Sequence, residues 1–242
     1  LPPNLTRIKR IDWILSTLML SDFIPADLEE LVLYDDIPRF LAATYLPHLT
    51  KTIFTVESGA ANSIDSLPLT LKRLTVNSSQ TWYKFKEKQL PLSLNELTLK
   101  GDLRLGREAF LLRFPVGLTR LTLWEEAGEH LLYGANVEVV LPNLQKLKIV
   151  HTRPLNKRIV KFAQIAPNLH TLILKGKLLL TDNMLLTSEE TFPPNLTRLH
   201  LDAIHLTKES ATKFPSSLTR LDLHKDSDIS GEDMLKMIQS MP

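Results

Sequence analysis

One short phrase recurs along the whole chain and constrains its fold more than any other feature. The phrase opens with an apolar residue and a proline and continues as L-x-x-L-x-L, as in 192–201 (FPPNLTRLHL) and 214–223 (FPSSLTRLDL). With the first leucine as position 1, it occurs ten times at spacings of 21 to 27 residues. The anchor leucines are Leu5, Leu28, Leu49, Leu71, Leu94, Leu118, Leu144, Leu169, Leu196 and Leu218. A repeat of about 20 to 50 residues is typical of a solenoid, in which neighbouring units bury one another's apolar faces.

Each phrase predicts one short strand. Positions 1, 4 and 6 are apolar in 28 of 30 cases, and the exceptions are Arg10 and Thr52. The block is too short for a helix and ends in the period-2 alternation of a strand, with leucines facing inward. Proline lies two or three residues before every anchor. There its fixed φ sets a turn and its missing N–H removes no central ladder bond.

The connections between the phrases differ from one another, and three of them carry helical patterns. These are residues 104–114, 156–166 and 230–241. Stacking the strands about 4.8 Å apart would bury a continuous column of leucine. We therefore expect an α/β solenoid of about ten repeats, with a curved parallel β-sheet on the concave face and helices and loops on the convex face.

The pattern resembles the leucine-rich repeat family over essentially all 242 residues. The openings LP-x-x-L and FP-x-x-L are similar to proline-led repeats of the FNIP type, and 162–174 (FAQIAPNLHTLIL) is similar to units of F-box-associated arrays. The resemblance implies a single leucine-rich repeat domain over residues 1–242. Many family members carry an asparagine at position 9, whereas this chain has none there. Because both ends fall on the phrase rather than on a capping unit, we expect a segment of a longer chain.

The bulk composition narrows the possible functions. The chain has no cysteine, which removes disulfides and thiolate chemistry and favours an intracellular protein, cytoplasmic or nuclear. The apolar stretches are shorter than the roughly 20 residues that cross a bilayer. No phosphate-loop, dinucleotide-binding, zinc-protease or nucleophile-elbow motif occurs. We therefore expect no enzymatic activity, no cofactor, no membrane association and no small-molecule substrate.

One constellation of metal-ligand residue types occurs in the last two repeats. His200 and Asp222 share position 5, and Asp202 and His224 share position 7, so neighbouring strands would place two His–Asp pairs side by side. Cross-strand hydrogen bonding and charge pairing on a solvated sheet is the preferred interpretation. No metal site is therefore assigned.

The strand geometry identifies the face that is available for binding. Positions 3 and 5 should point outward from the concave sheet, with positions 7 and 8 continuing the exposed edge. Position 3 is basic in seven of ten repeats, and positions 3, 5, 7 and 8 together carry 12 basic and 7 acidic residues. A basic column would attract an acidic partner. Equally, long side chains could occupy this column because their aliphatic stems cover the sheet, with Glu30 and Glu96 neutralising it locally.

The leading functional hypothesis is a non-catalytic scaffold that binds a protein partner across the concave face. The basic column favours a partner that is acidic. Trp124 and Tyr34 at position 7 would serve as amphipathic anchors. The residues predicted to bind the partner are Tyr34, Arg73, Lys100, Arg120, Trp124, Lys146, Arg198 and Arg220. The resemblance to F-box-associated arrays implies the substrate-reading part of a ubiquitin-ligase adaptor. Nucleic-acid or polyanion binding through the same column, or an architectural role in a large assembly, stay open as alternatives.

Overall fold

The computed structural model of the protein describes residues 4–11, 25–33, 46–56, 67–78, 90–101, 114–125, 140–151, 162–176, 180–181, 192–202, 204–205 and 214–224, together with Glu232 and Leu235. The chain divides into two compact units, Leu1–Leu118 and Thr119–Pro242. The single domain over residues 1–242 stays a prediction. Among the described residues, no helix is long and apolar enough to cross a membrane.

The first unit contains five parallel strands that lie side by side in chain order. They are β1 (Arg7–Ile11), β2 (Glu30–Leu33), β3 (Lys51–Val56), β4 (Arg73–Ser78) and β5 (Glu96–Gly101). Position 3 of each strand lies opposite position 3 of the next, and one register shift occurs late in the β1–β2 pair. Every strand begins at position 3 of its phrase, as the repeat predicts.

The second unit repeats this arrangement. Its strands β6 (Arg120–Trp124), β7 (Lys146–His151), β8 (Thr171–Gly176), β10 (Arg198–Asp202) and β12 (Arg220–His224) are parallel, in chain order and in the same position-to-position register. Two short strands, β9 (Leu180–Thr181) and β11 (Ile204–His205), pair in parallel as a separate two-stranded sheet. A one-turn helix, α1 (Phe162–Ile165), precedes β8.

The alternation of burial along each strand explains why the phrase folds in this way. In β5 and β8, positions 4 and 6 are buried whereas positions 3 and 5 are half-buried. Eight of the ten anchor leucines are buried, and the other two, Leu5 and Leu218, are half-buried. Burying a leucine side chain contributes about 1.5 to 3 kcal/mol, so the leucine column supplies the main stabilisation of each stack.

The prolines form part of a turn that leads into each strand of the repeated phrase from β2 onwards, which excludes the short strands β9 and β11. The anchor N–H donates to the carbonyl three residues earlier, as in Leu71 to Pro68 (3.1 Å) and Leu94 to Pro91 (3.0 Å). In other repeats the proline is the second residue of this turn, as where Leu144 N–H donates to Leu141 across Pro142. Both placements suit the fixed φ of proline, which confirms the role predicted from the sequence.

Hydrogen bonds between repeats link the N-terminal ends of the strands. The position-2 carbonyl accepts two N–H groups from the next repeat, as Thr50 O does from Lys72 (2.8 Å) and Arg73 (2.9 Å). Hydroxyl side chains add further links, since Ser93 Oγ donates to Leu71 O at 2.7 Å and Ser217 Oγ to Leu196 O at 2.8 Å. Because these bonds recur in both units, the strands are held in register at their N-terminal ends.

The predicted helices on the connections are described only in part. The prediction for 156–166 is confirmed at its end, where α1 buries Phe162 and Ile165. Of 230–241, Glu232 and Leu235 are helical and exposed. The predicted helix at 104–114 lies outside the described residues except for Phe114.

The two exceptions to the apolar pattern have different outcomes. Thr52 occupies position 4 of β3 and is fully buried, and within the described part of the chain its Oγ1 has no hydrogen-bond partner. An unsatisfied buried hydroxyl is destabilising, so Thr52 is a local weak point of the core. The side chain of Arg10 lies outside the described residues.

Candidate protein-recognition face

The side chains at positions 3, 5 and 7 of the strands form one surface of each unit, called the 3-5-7 face from here on. Most of these side chains are exposed or half-buried, whereas the described side chains at positions 4 and 6 are buried beneath them, except for the half-buried Leu221 and Leu223 of β12. Two valines are exceptions, because Val32 at position 5 and Val150 at position 7 are buried. The face is therefore a mainly polar surface on a hydrogen-bonded sheet.

Seven of the eight predicted binding residues are described, and all seven lie on the 3-5-7 face as exposed or half-buried side chains. Tyr34 lies outside the described residues. The structure separates the seven residues between the units, with Arg73 and Lys100 in the first and the other five in the second. Their role in binding stays a prediction.

In the first unit the position-3 column is neutralised locally. Glu30 of β2 forms an ion pair with Lys51 of β3. Glu96 of β5 lies 3.5 Å from Arg73 of β4, measured from Oε1 to Nε. Both acidic residues of the column thus contact a cation on an adjacent strand, so the column of the first unit is partly neutralised, although Lys51 and Arg73 lie directly opposite each other.

The first three strands of the second unit carry a concentration of positive charge. Arg120 and Lys146 are directly opposite each other at position 3, Lys148 follows at position 5 of β7, and Lys175 occupies position 7 of β8. These four residues are called the basic cluster from here on. No acidic residue occupies position 3, 5 or 7 of β6, β7 or β8, all of which are described. Like charges opposite each other on neighbouring strands repel, so this part of the face favours an anionic group.

Trp124 lies at the end of β6, beside the basic cluster. Its ring is half-buried, with Lys148 Nζ 5.9 Å from the ring centroid, which is within the range of a cation–π interaction. The next residue, Glu125, has a positive φ of 52° and donates its N–H to Val150 O at 2.8 Å. This turn fixes the backbone directly after Trp124, so the ring is held against β7.

The last two strands of the second unit carry a network that neutralises itself. Arg220 Nε donates to Asp222 Oδ2 at 2.9 Å, and Asp222 Oδ2 lies 3.8 Å from His200 Nδ1. His200 Nε2 lies 2.8 Å from Asp202 Oδ1, and Asp202 Oδ2 accepts the Gly176 N–H at 3.1 Å. The His–Asp constellation is therefore a hydrogen-bonded and charge-paired network. Among the described residues, no group of three or more His, Cys, Asp or Glu side chains is placed to hold a metal ion.

The expectation that position 8 continues the exposed edge is wrong for β7. His151 at that position is only 1% exposed. It lies opposite Gly176 of β8, which has a positive φ of 99° and brings its backbone directly against that of His151. The histidine is therefore not part of the exposed edge.

Sequence reasoning missed a row of exposed apolar side chains at the turns of the first unit. Leu69, Leu92 and Val116 stand two residues before successive anchors and are 76%, 73% and 65% exposed. In the other repeats this position holds proline, alanine or serine. The presence of leucine or valine at this position, in place of proline, alanine or serine, was the sequence signal that could have revealed the row. These three residues are called the turn row from here on.

Comparison with known proteins gives a likeness of fold alone. No protein-family profile matches the chain, and no curated protein matches it in sequence. Among solved structures, the chain is similar to CroV588, whose crystal structure is described as that of a novel circular LRR protein, with a TM-score of 0.64 and 16% sequence identity. The alignment covers 95% of this chain and 32% of that chain, so this chain spans about one third of that protein's length.

This likeness and the repeated parallel strands confirm the predicted fold class, a leucine-rich repeat solenoid. Few helices occur in the described residues, and α1 is one of them. Solenoids of this class are non-enzymatic scaffolds as a rule and commonly bind other proteins through the surface that their stacked repeats create. Likeness of fold says nothing about the FNIP or F-box subtype.

Proposed function

We propose that the chain is a non-catalytic scaffold that binds a protein partner on its 3-5-7 face, the face predicted to be concave. The basic cluster beside Trp124 is the observation that carries this proposal. Four cations and one amphipathic ring lie on three adjacent strands whose backbones are fixed by interstrand hydrogen bonds. Arginine and aromatic residues are enriched among the side chains that dominate binding energy at protein interfaces.

Rigidity of the sheet supports recognition by many small contacts. The position-2 carbonyls hold each strand to the next one, so the backbone of the face needs no ordering when a partner arrives. Binding to a preorganised surface avoids much of the entropy loss of association. Modest contacts from several repeats can therefore add up to useful affinity.

The histidine–aspartate pair on β10 makes structural contacts, which supports a binding function. His200 and Asp202 contact each other, and Asp202 also accepts the N–H of Gly176 in β8. A general base needs a free position beside the proton that it removes. The arrangement instead links β8 and β10 at their C-terminal ends.

The substrate-reading part of a ubiquitin-ligase adaptor is a finer form of this proposal. It is supported by the resemblance of 162–174 to F-box-associated arrays, and by α1, the helical turn that the stretch contains just before β8. A polyanion binder is less well supported, because Asp202 and Asp222 lie on the same face and would repel a continuing row of phosphates.

Site-specific crosslinking tests the proposed function. A photo-crosslinking amino acid is placed at Thr122, which is half-buried on the 3-5-7 face, or at Leu92 in the exposed turn row. We expect the Thr122 variant, irradiated in cells, to form a discrete covalent adduct with a protein. The Leu92 variant is the matched control and should form no adduct of the same mass. An adduct from Leu92 alone, or an adduct with nucleic acid from Thr122, would contradict the proposal.

A further inference from the structure

We infer that the basic cluster binds an acidic segment of the protein partner, in which carboxylate or phosphate groups stand about four residues from an apolar side chain. The inference rests on the proposed function and adds the chemistry of the segment that is recognised. Three features of the second unit support the inference: its charge distribution, the position of Trp124 and the charge on the flanking strands.

The positive charges of the basic cluster are close enough together to share one anionic group. Arg120 and Lys146 are directly opposite each other on β6 and β7, and adjacent strands lie about 4.8 Å apart. Lys148 lies two residues further along β7, about 7 Å from Lys146. One carboxylate or phosphate placed between these three side chains is within reach of all of them. Charge-assisted hydrogen bonds from arginine and lysine to such groups are among the strongest in proteins.

The charged end of β6 and its aromatic end are separated by a distance that a short extended peptide can span. Arg120 and Trp124 are four residues apart in one strand, a separation of about 13 Å. An extended peptide rises by about 3.3 Å per residue, so four residues of a bound peptide cover the same distance. A peptide lying along β6 would place its acidic group at Arg120 and an apolar side chain at Trp124.

The charges on the strands beyond β8 limit the length of the ligand. Beyond β8 the face carries Asp202 and Asp222, and Asp222 contacts Arg220, so the positive charge does not continue across β10 and β12. Nucleic-acid binding requires many neutralised phosphates, and single strands also need successive stacking aromatics. A compact cluster beside one tryptophan suits a short acidic peptide instead.

The inference is tested with peptides and the full chain. The probe is a fluorescein-labelled peptide of about ten residues, with a leucine four residues before a Glu-Glu pair. A Gln-Gln peptide, a phosphoserine peptide and a single-stranded RNA of equal charge serve as comparisons, all measured by fluorescence anisotropy at low and moderate salt. We expect the Glu-Glu or the phosphoserine peptide to bind at least about tenfold more tightly than the Gln-Gln peptide. Whichever of the two binds more tightly identifies the acidic group.

Matched substitutions locate the binding site. Lys146→Glu is expected to weaken binding of the acidic peptide by about tenfold or more, and Trp124→Ala by a similar factor. Arg198→Glu changes the same charge at the same repeat position on β10, outside the cluster, and should weaken binding by less than about threefold. Lys146→Gln repeats the test without introducing a negative charge, and circular dichroism checks that each variant is folded.

Three results would overturn the inference: equal affinity for the Gln-Gln and acidic peptides, equal weakening by Lys146→Glu and Arg198→Glu, or tighter binding of the RNA than of either acidic peptide. These results are separable from failure of the proposed function. If Thr122 crosslinks to a protein but the acidic peptides do not bind, the inference is wrong and the scaffold function stands. If Thr122 yields no protein adduct, the scaffold function itself is contradicted.

Discussion

Replacing Gly176 with alanine is expected to lower the free energy of unfolding by about 4 kcal/mol or more, which is among the largest effects of a single substitution. Gly176 has a φ of 99°, a region that residues with a side chain rarely adopt. A Cβ at this position would lie 1.9 Å from the carbonyl oxygen of His151. That oxygen belongs to the backbone of β7, which is held in register by β6 and β8, so the clash cannot be relieved by a side-chain rotation.

Urea unfolding followed by circular dichroism measures this effect. Gly117→Ala is the matched control, because a Cβ there would meet its nearest atom, Leu92 O, at an ordinary 3.6 Å. That variant should stay within about 1 kcal/mol of the unsubstituted protein, since an unstrained Gly→Ala change acts chiefly on the unfolded chain. Equal stabilities for the two variants would show that β7 and β8 do not approach as closely as described.

Replacing Leu74 with alanine is expected to lower the free energy of unfolding by about 3 kcal/mol. Leu74 occupies position 4 of β4, is 1% exposed and lies opposite Thr52 of β3 and Leu97 of β5. Its truncation removes apolar contacts and leaves a cavity, because the hydrogen-bonded strands on both sides prevent collapse.

Thr52, which lies opposite Leu74 on β3, supplies a control in which the stability is expected to rise and not to fall. Thr52→Val exchanges a buried hydroxyl without a hydrogen-bond partner among the described residues for a methyl group, and should raise the stability by about 1 kcal/mol. Both variants are compared by the same urea titration. Little change for Leu74→Ala would mean that position 4 does not face a packed core, and a destabilised Thr52→Val would mean that the hydroxyl is satisfied.

The strands could be predicted because the phrase alone determines them. The inward direction of positions 4 and 6 follows from the period of two in a strand, and the common phase of the repeats determines the register. The pairing of Arg120 with Lys146, and of Arg198 with Arg220, was therefore predictable and is confirmed. The proline-led turn was predictable for the same reason, since proline allows few backbone conformations.

The parts that could not be predicted depend on the backbone after the strand and on side-chain rotamers. A glycine at position 8 does not by itself indicate that Gly176 packs against the backbone of His151. The position-3 column predicts neighbouring charges, but the contacts of Glu30 and Glu96 depend on which way each long side chain turns. For this reason, the sequence predicts one basic column, whereas the structure shows ion pairs at Glu30 and Glu96 and no acidic residue at positions 3, 5 and 7 of β6, β7 and β8.

The turn row illustrates a different limit. An apolar residue two positions before an anchor looks like part of the core pattern, and only the turn geometry shows that Leu69 and Leu92 point into solvent. Exposed apolar residues in neighbouring repeats mark a possible contact surface. Any account of binding by this protein must therefore distinguish the 3-5-7 face from the turn row.

Hydroxyl-radical footprinting of the full chain, alone and in complex with the partner identified by crosslinking, shows directly whether the 3-5-7 face is the binding surface. Tryptophan and leucine side chains both react with the radical and report their exposure. We expect Trp124 on the 3-5-7 face to become protected in the complex, while Leu69 and Leu92 of the turn row react at the same rate in both states. Protection of Leu69 and Leu92 with an unchanged rate at Trp124 would contradict this expectation.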